Sequence, residues 1–271
     1  MQRFGTTFPA LEALHAGLIR IAEEAGRVAL RDFRAERRTT AEVQWKEGGS
    51  PVTSADHAVD AFLAETLPTL AAIGFHSEER PESWTGERGQ PAFVVDPIDG
   101  TRNFIEGGDA WCIVVGVIAE GMPVAGAVHL PARNETYSGF RGGGAFLNGE
   151  RLTFLAAGQA PYRTTGPRPI AERLGRALRL ELAHASPVPA LAHRVLVPLR
   201  GGADLAVANP GGHDWDIVAS DCILREAGGN LLTLEGTHPV YGLTGAPHPP
   251  LVAGSQDLLT KIGVSLLTNP A

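Results

Sequence analysis

From Trp111 onward the chain reads strand after strand, and this stretch narrows its possible folds more than any other. Apolar and β-branched runs at 112–119, 124–130, 135–140 and 145–147 are separated by turn residues, Gly121 among them. Hairpin spacing of such runs predicts an antiparallel meander. The tripeptide Gly142-Gly143-Gly144 lacks the Lys-Ser/Thr of a P-loop and opens no helix, so it reads as a turn.

Before the meander, Leu11, Leu14, Leu18, Ile21, Ala25, Val28, Ala29 and Phe33 recur at helical spacing and predict a helix over 11–38. Arg34, Arg37 and Arg38 would then sit at its C-terminus, where cations suit the dipole. A short strand is expected at 42–46, then a loop at Gly48-Gly49-Ser50-Pro51. Thr53 or Ser54 can cap a helix over 55–70, and a strand ends near His76. After the meander, helices are expected at 168–180, 189–200, 215–227 and from about 256, with strands at 203–207, 230–234 and 251–253. A meander followed by alternating elements is a mixed α/β (α+β) chain. The expectation is one domain over 1–271, with an α+β half to about 150 and an α/β half after it.

With 271 residues and a net charge of -7, the chain lacks the basic balance of a nucleic-acid binder, so no polymer partner is expected. No run of about 18 apolar residues occurs, and the first residues do not resemble a signal peptide. Cys112 and Cys222 lie in apolar stretches and read as buried reduced thiols, which fits a cytoplasmic location. Trp45, Trp84 and Trp111 read as packing residues rather than stacking platforms.

Chemistry concentrates where an apolar run stops, at Val94-Val95-Asp96-Pro97-Ile98-Asp99-Gly100-Thr101-Arg102-Asn103-Phe104. Pro97 restricts the backbone and Gly100 permits an unusual angle, so the turn can converge Asp96, Asp99 and the Ile98 carbonyl on one point. Such hard oxygen ligands suit Mg²⁺ or Mn²⁺. Alone, the same residues also fit a strand end followed by a capped helix. Ser77-Glu78-Glu79 after another strand, and Asp214-Trp215-Asp216 opening an apolar helix, add further acids.

Taken together, these segments resemble the inositol monophosphatase family of Mg²⁺-dependent, lithium-sensitive phosphatases. The resemblance rests on Val52-Thr53-Ser54-Ala55-Asp56, Glu78-Glu79, the segment from Asp96 to Phe104, and Trp215-Asp216, in the family's order and spanning about 11–265. It implies a layered αβαβα sandwich of the sugar phosphatase type, and a homodimer. It implies that Glu78, Asp96, the Ile98 carbonyl, Asp99 and Asp216 hold two or three Mg²⁺ ions, with Glu79 adjacent. Gly100 and Thr101 would present backbone N–H groups to the phosphate of a small phosphomonoester, beside Asp216. Thr101, Asp56 and Glu78 would be catalytic, with Thr101 and Asp56 activating the attacking water. Lys46 can reach the site as a charge or loop clamp.

The match thins at the substrate positions. The family's Gly-Ser/Thr-Ala turn reads Ser186-Pro187-Val188-Pro189-Ala190, and Asn209 stands where a substrate-binding Glu is usual. Asn209 can bind a hydroxyl but makes no carboxylate–diol contact, and His213 can touch substrate. Arg102, Arg194 and Arg200 are candidate contacts for a second phosphate. The leading expectation is hydrolysis of an inositol or sugar phosphate. The alternatives are a 3'(2'),5'-bisphosphate nucleotidase and a non-catalytic regulatory protein retaining the fold.

Overall fold

The central strands are buried along nearly their whole length, which requires cover on both faces. In β4 (Ala92–Asp99) every residue is buried, and in β5 (Cys112–Ala119) all but the last. The computed structural model describes residues 10–80, 89–154, 158–242 and 246–264, and shows what supplies that cover. Trp84 and most of the 86–90 loop lie outside the described residues.

Chain order is α1 (Leu11–Ala29), β1 (Val43–Trp45), β2 (Pro51–Thr53), α2 (Ser54–Thr66), β3 (Gly74–Ser77), β4, α3 (Thr101–Glu106) and β5. The meander continues with β6 (Met122–Leu130), β7 (Glu135–Phe140), β8 (Gly144–Leu147) and β9 (Glu150–Leu152). Then come β10 (Tyr162–Thr165), α4 (Arg168–Leu178), β11 (Leu182–His184), α5 (Leu191–Leu196), β12 (Leu205–Ala208), α6 (Asp214–Glu226), β13 (Gly229–Thr233), β14 (Leu251–Ser255) and α7 (Gln256–Lys261).

Strands β3 to β9 form a seven-stranded sheet in sequence order, antiparallel except for the β3–β4 pair. A five-stranded sheet has the order β11-β10-β12-β14-β13. Side-chain alternation then sorts the core into layers. Phe93 and Val95 join Leu14, Leu18, Ile21, Val59 and Leu63 under α1 and α2. Val94 and Val114 join Leu196, Ile217, Val218 and Ile223, so α5 and α6 are sandwiched between the sheets with Ala206, Leu231 and Ala253 beyond. Leu205 and Val207 face Ile170, Leu174, Leu258 and Leu259 of α4 and α7. The architecture is α/β/α/β/α, a mixed α/β fold. Gly126 lets α6 lie close to the first sheet, since a Cβ there would come 2.6 Å from the Ala219 Cα.

Helix α1 is shorter than its periodicity predicts. Phe33 does turn into the core, against Phe104 at 5.7 Å and Trp111 at 5.2 Å between ring centroids. It does so from a turn, because the backbone after Ala29 finds other partners: Glu36 N donates to Gly107 O and Thr39 N to Ile105 O, each at 2.9 Å. Arg34 serves that turn, donating to the carbonyls of Arg31 and Phe33. Strands β9, β10 and β11, of three or four residues each, carry no periodic signal and arise from pairing alone.

Candidate active site

Asp96 and Asp99 lie on the same strand, three residues apart, a spacing that places side chains on opposite faces of a regular β-ladder. Here Asp96 pairs with Val114 and Asp99 with Cys112, so three steps on β4 match two on β5. The extra residue is a bulge, and it returns the two carboxylates to a common side. Helix α6 adds Asp216 from its first turn. Carboxylate oxygens of Asp96, Asp99 and Asp216 all lie within 4.8 Å of one another.

Each carboxylate is aimed by bonds from the backbone. Asp96 Oδ1 accepts from Ile98 N at 3.0 Å. Asp99 accepts from the two N–H groups that open α5, Leu191 at 3.0 Å and Ala192 at 2.6 Å, and a weaker bond from the Cys112 thiol at 3.8 Å. Asp216 Oδ2 accepts from His213 N at 2.6 Å, closing a capping box on α6. Gly100 follows Asp99 with φ of 91°, and a Cβ there would stand 3.0 Å from Ala110 O. The left-handed angle and the tight space both demand glycine.

Thr101 opens α3. Its hydroxyl lies 2.9 Å from Ile98 O and 3.3 Å from Asp56 Oδ1, and its single proton serves one acceptor at a time. Asp56 is buried, and its other oxygen accepts from Thr53 N at 2.8 Å and Thr53 Oγ1 at 2.6 Å. Thr53 and Asp56 form the capping box that starts α2, so the same contact builds the helix and orients the acid.

Glu78 and Glu79 are not part of the close triad. Lys46 Nζ sits between them, 2.9 Å from Glu78 Oε1 and 2.8 Å from Glu79 Oε1. Glu78 is nonetheless near, because its charge helps raise the pKa of Asp96, Asp99 and Asp216. Arg102 donates to Gly49 O at 2.6 Å and lies 5.4 Å over the Trp45 ring, fastening the β1–β2 hairpin that carries Lys46. Trp45 is 62% exposed, which overturns its reading as a packing residue. His213 and His76 both stack on the Trp215 ring, at 4.6 and 5.0 Å between centroids. Asn209 is exposed just past β12. Arg194 donates to the carbonyls of Val188 and Pro189, and Arg200 to Glu135, so the candidate second-phosphate arginines are engaged elsewhere.

Asp214 turns away from the triad, accepting from Gly242 N at 2.7 Å and pairing with His248 at 2.8 Å. The glycine turn also has its own acid: Gly142 N and Gly144 N donate to Glu226. Residues that sequence patterns do not reveal are Leu191, Ala192 and Cys112, which hold Asp99 from distant positions. Thr53 is different, since a Thr-x-x-Asp box is legible as a helix start.

The electrostatics calls for cations. Burial, then the charges of Glu78 and neighbouring aspartates, pushes Asp96 well above the usual carboxylate range. Burial raises Asp99 to about 6 against the pull of its N–H donors, and raises Asp56 to about 7. Two like charges about 4 Å apart repel by about 4 kcal/mol at an effective dielectric of 20. A divalent ion among Asp96, Asp99 and Asp216 would relieve that repulsion, and the all-oxygen donor set fits Mg²⁺ or Mn²⁺.

Residues 10–262 match the sequence pattern of the Inositol monophosphatase family. The chain belongs to that family. It is 34% identical over 245 residues to an inositol-1-monophosphatase of Mesorhizobium japonicum, covering 84% of this chain and 88% of the relative. It is 30% identical to a 3'(2'),5'-bisphosphate nucleotidase CysQ of Aggregatibacter actinomycetemcomitans, covering 80% of this chain and 83% of that protein. Its fold is similar to the crystal structure of the extragenic suppressor protein suhB from Bartonella henselae, with a TM-score of 0.75 at 22% identity over 94% of this chain and 98% of that one. Like its relatives in the inositol monophosphatase family, the protein is a phosphoric monoester hydrolase. Among the described residues no helix is long and apolar enough to cross a membrane.

Proposed function

We propose that the protein hydrolyses the phosphate monoester of a small polyol or sugar, dependent on Mg²⁺, by direct attack of water on phosphorus. The observation that carries this reading is the convergence of Asp96, Asp99 and Asp216 within 4.8 Å, with Thr101 bridging toward Asp56 beside them. Asp96, Asp99, Asp216, the Ile98 carbonyl and Glu78 would hold the ions. When bound, Mg²⁺ supplies Lewis acidity that polarises the phosphoryl group, acidifies water and stabilises the departing oxygen.

The remaining work falls to the chain itself. Thr101 Oγ1 takes a proton from the attacking water as it passes its own proton to Asp56 Oδ1, so the hydroxyl is regenerated and Asp56 holds the proton lost by the water. Asp56 is suited to receive it, because burial lifts its pKa to about 7, near the working pH of a general base. Gly100 and Thr101 offer the backbone N–H groups at the start of α3 to the phosphate. Asp99, held rigid by Leu191 N and Ala192 N, keeps the leaving-group side in place. Asn209 and His213 would line the substrate side, Asn209 offering an amide rather than a carboxylate to a hydroxyl. Inhibition by Li⁺, assembly as a homodimer and a cytoplasmic location belong to the same reading. The buried free thiols Cys112 and Cys222 support a reducing compartment.

The test is phosphate release from a panel of inositol phosphates, sugar phosphates and 3',5'-bisphosphonucleotides, with Mg²⁺ and with EDTA. Release from the polyol or sugar esters, abolished by EDTA, is expected. Turnover confined to bisphosphonucleotides would replace this reading with the nucleotidase one, and EDTA-resistant turnover would remove the metal.

A further inference from the structure

Ser77, Glu78, Glu79 and Arg80 form a four-residue turn, closed by Arg80 N donating to Ser77 O at 3.1 Å. Glu78 and Glu79 are its central pair, and its two ends meet one buried side chain. Asp60 Oδ1 accepts from Ser77 Oγ at 2.6 Å, and Asp60 Oδ2 accepts from Arg80 Nε. Ser77 Oγ in turn accepts from Glu79 N at 3.3 Å. Glu78 N donates to Val95 O at 3.2 Å, which ties the turn to β4 one residue before Asp96.

Asp60 thus spans the base of the turn. A single backbone bond across a turn leaves its central residues free to tilt. Two bonds onto one buried carboxylate hold both ends, and bonds to an ionised acceptor are about twice as strong as neutral ones. Arg80 matches the charge of Asp60, so the anchor adds no net charge beside carboxylates that already repel one another. The helix register adds a second relation. Asp60 lies four residues after Asp56 on α2, and side chains at that spacing share one helix face. Asp56 meets Thr101 and Asp60 meets the turn, so one helix carries both the proton acceptor and the anchor of Glu78.

We propose that Asp60 is a positioning residue, which aims Glu78 toward Asp96, Asp99 and Asp216 by gripping both ends of the turn that carries it. Asp60 meets neither ion nor substrate and acts through Glu78. Groups that orient a metal ligand in this way typically govern about 10- to 100-fold in metal affinity. The inference rests on the metal-dependent reading above, with Glu78 among the ligands.

The test is a double-mutant cycle of Asp60→Ala and Glu78→Gln, read as Mg²⁺ affinity by calorimetry. Asp60→Ala alone should weaken Mg²⁺ about tenfold. In the Glu78→Gln background the same change should cost nothing further, because the group that Asp60 acts through is gone. Asp60→Asn keeps an acceptor for one end of the turn, so its loss should be smaller and in the same direction. It carries the same cycle if circular dichroism shows that Asp60→Ala does not fold. Asp221→Asn, which removes a buried acid outside the site, is the control: it should lower stability and leave Mg²⁺ affinity unaltered. Unchanged Mg²⁺ affinity in a folded Asp60 variant, or an equal loss with and without Glu78, would overturn the inference while leaving a metal enzyme. Absence of any bound Mg²⁺ in the unaltered protein would overturn the metal reading itself, and this inference with it.

Discussion

Thr101 Oγ1 lies 3.3 Å from Asp56 Oδ1 although 45 residues separate them. Asp56 belongs to the first turn of α2 and Thr101 to the first turn of α3, so two helix starts meet where the proton must move. Removing the hydroxyl tests this contact with little cost to packing. Thr101→Ala should lower kcat by about 100-fold or more, the usual range for general acid–base assistance. KM should change less than kcat in steady-state assays with saturating Mg²⁺.

Asp99 combines two duties. Its oxygens accept from both N–H groups that open α5, and an amide side chain can accept at only one of these positions. Asp99→Asn should therefore lose about 1 kcal/mol of stability, the worth of one hydrogen bond. Its kcat should fall by orders of magnitude while circular dichroism reports a retained fold. Near-normal turnover would remove Asp99 from the chemistry.

The acidic site should make stability depend on pH when metal is stripped. Asp99 and Asp56 have folded-state pKa values raised to about 6 and about 7, above their unfolded values. Between the unfolded and folded pKa the native state holds protons that the unfolded chain has released. Stability therefore falls as pH rises through that window. In EDTA, Tm should drop from about pH 4 to about pH 7, because the unfolded chain binds fewer protons there. Mg²⁺ should flatten or reverse that slope by favouring the ionised carboxylates.

A buried acid outside the site provides the contrast. Asp221 is fully buried, pairs with Arg225 at 2.9 and 2.8 Å and accepts from Tyr241 OH at 2.8 Å. Asp221→Asn leaves a buried guanidinium poorly paired, and breaking such a pair costs about 3 kcal/mol or more. Denaturant unfolding should show that loss, while Mg²⁺ affinity measured by calorimetry stays unchanged.

Much of the fold was legible because burial leaves periodic marks. The meander, α2, α4, α6 and α7 stand close to where their apolar spacing puts them. The helix over 11–38 overran its true end at Ala29, because Phe33 keeps helical spacing while its neighbours bond to Gly107 and Ile105. The edge strand β11 was invisible, since three residues hold too little pattern to separate strand from loop.

Local chemistry along the chain determined which groups could act: paired acids around Pro97 and Gly100, a Thr-x-x-Asp helix start, and an acid in the first turn of α6. Those choices are local because backbone angles and capping bonds span only a few residues. Tertiary structure alone decided what those groups meet. It set Asp96 and Asp99 on one side through a bulge, brought Leu191 and Ala192 to Asp99, and placed Lys46 rather than open space against Glu78. Through-space forces between charges depend on distance in the folded molecule, and separation along the chain carries no record of it.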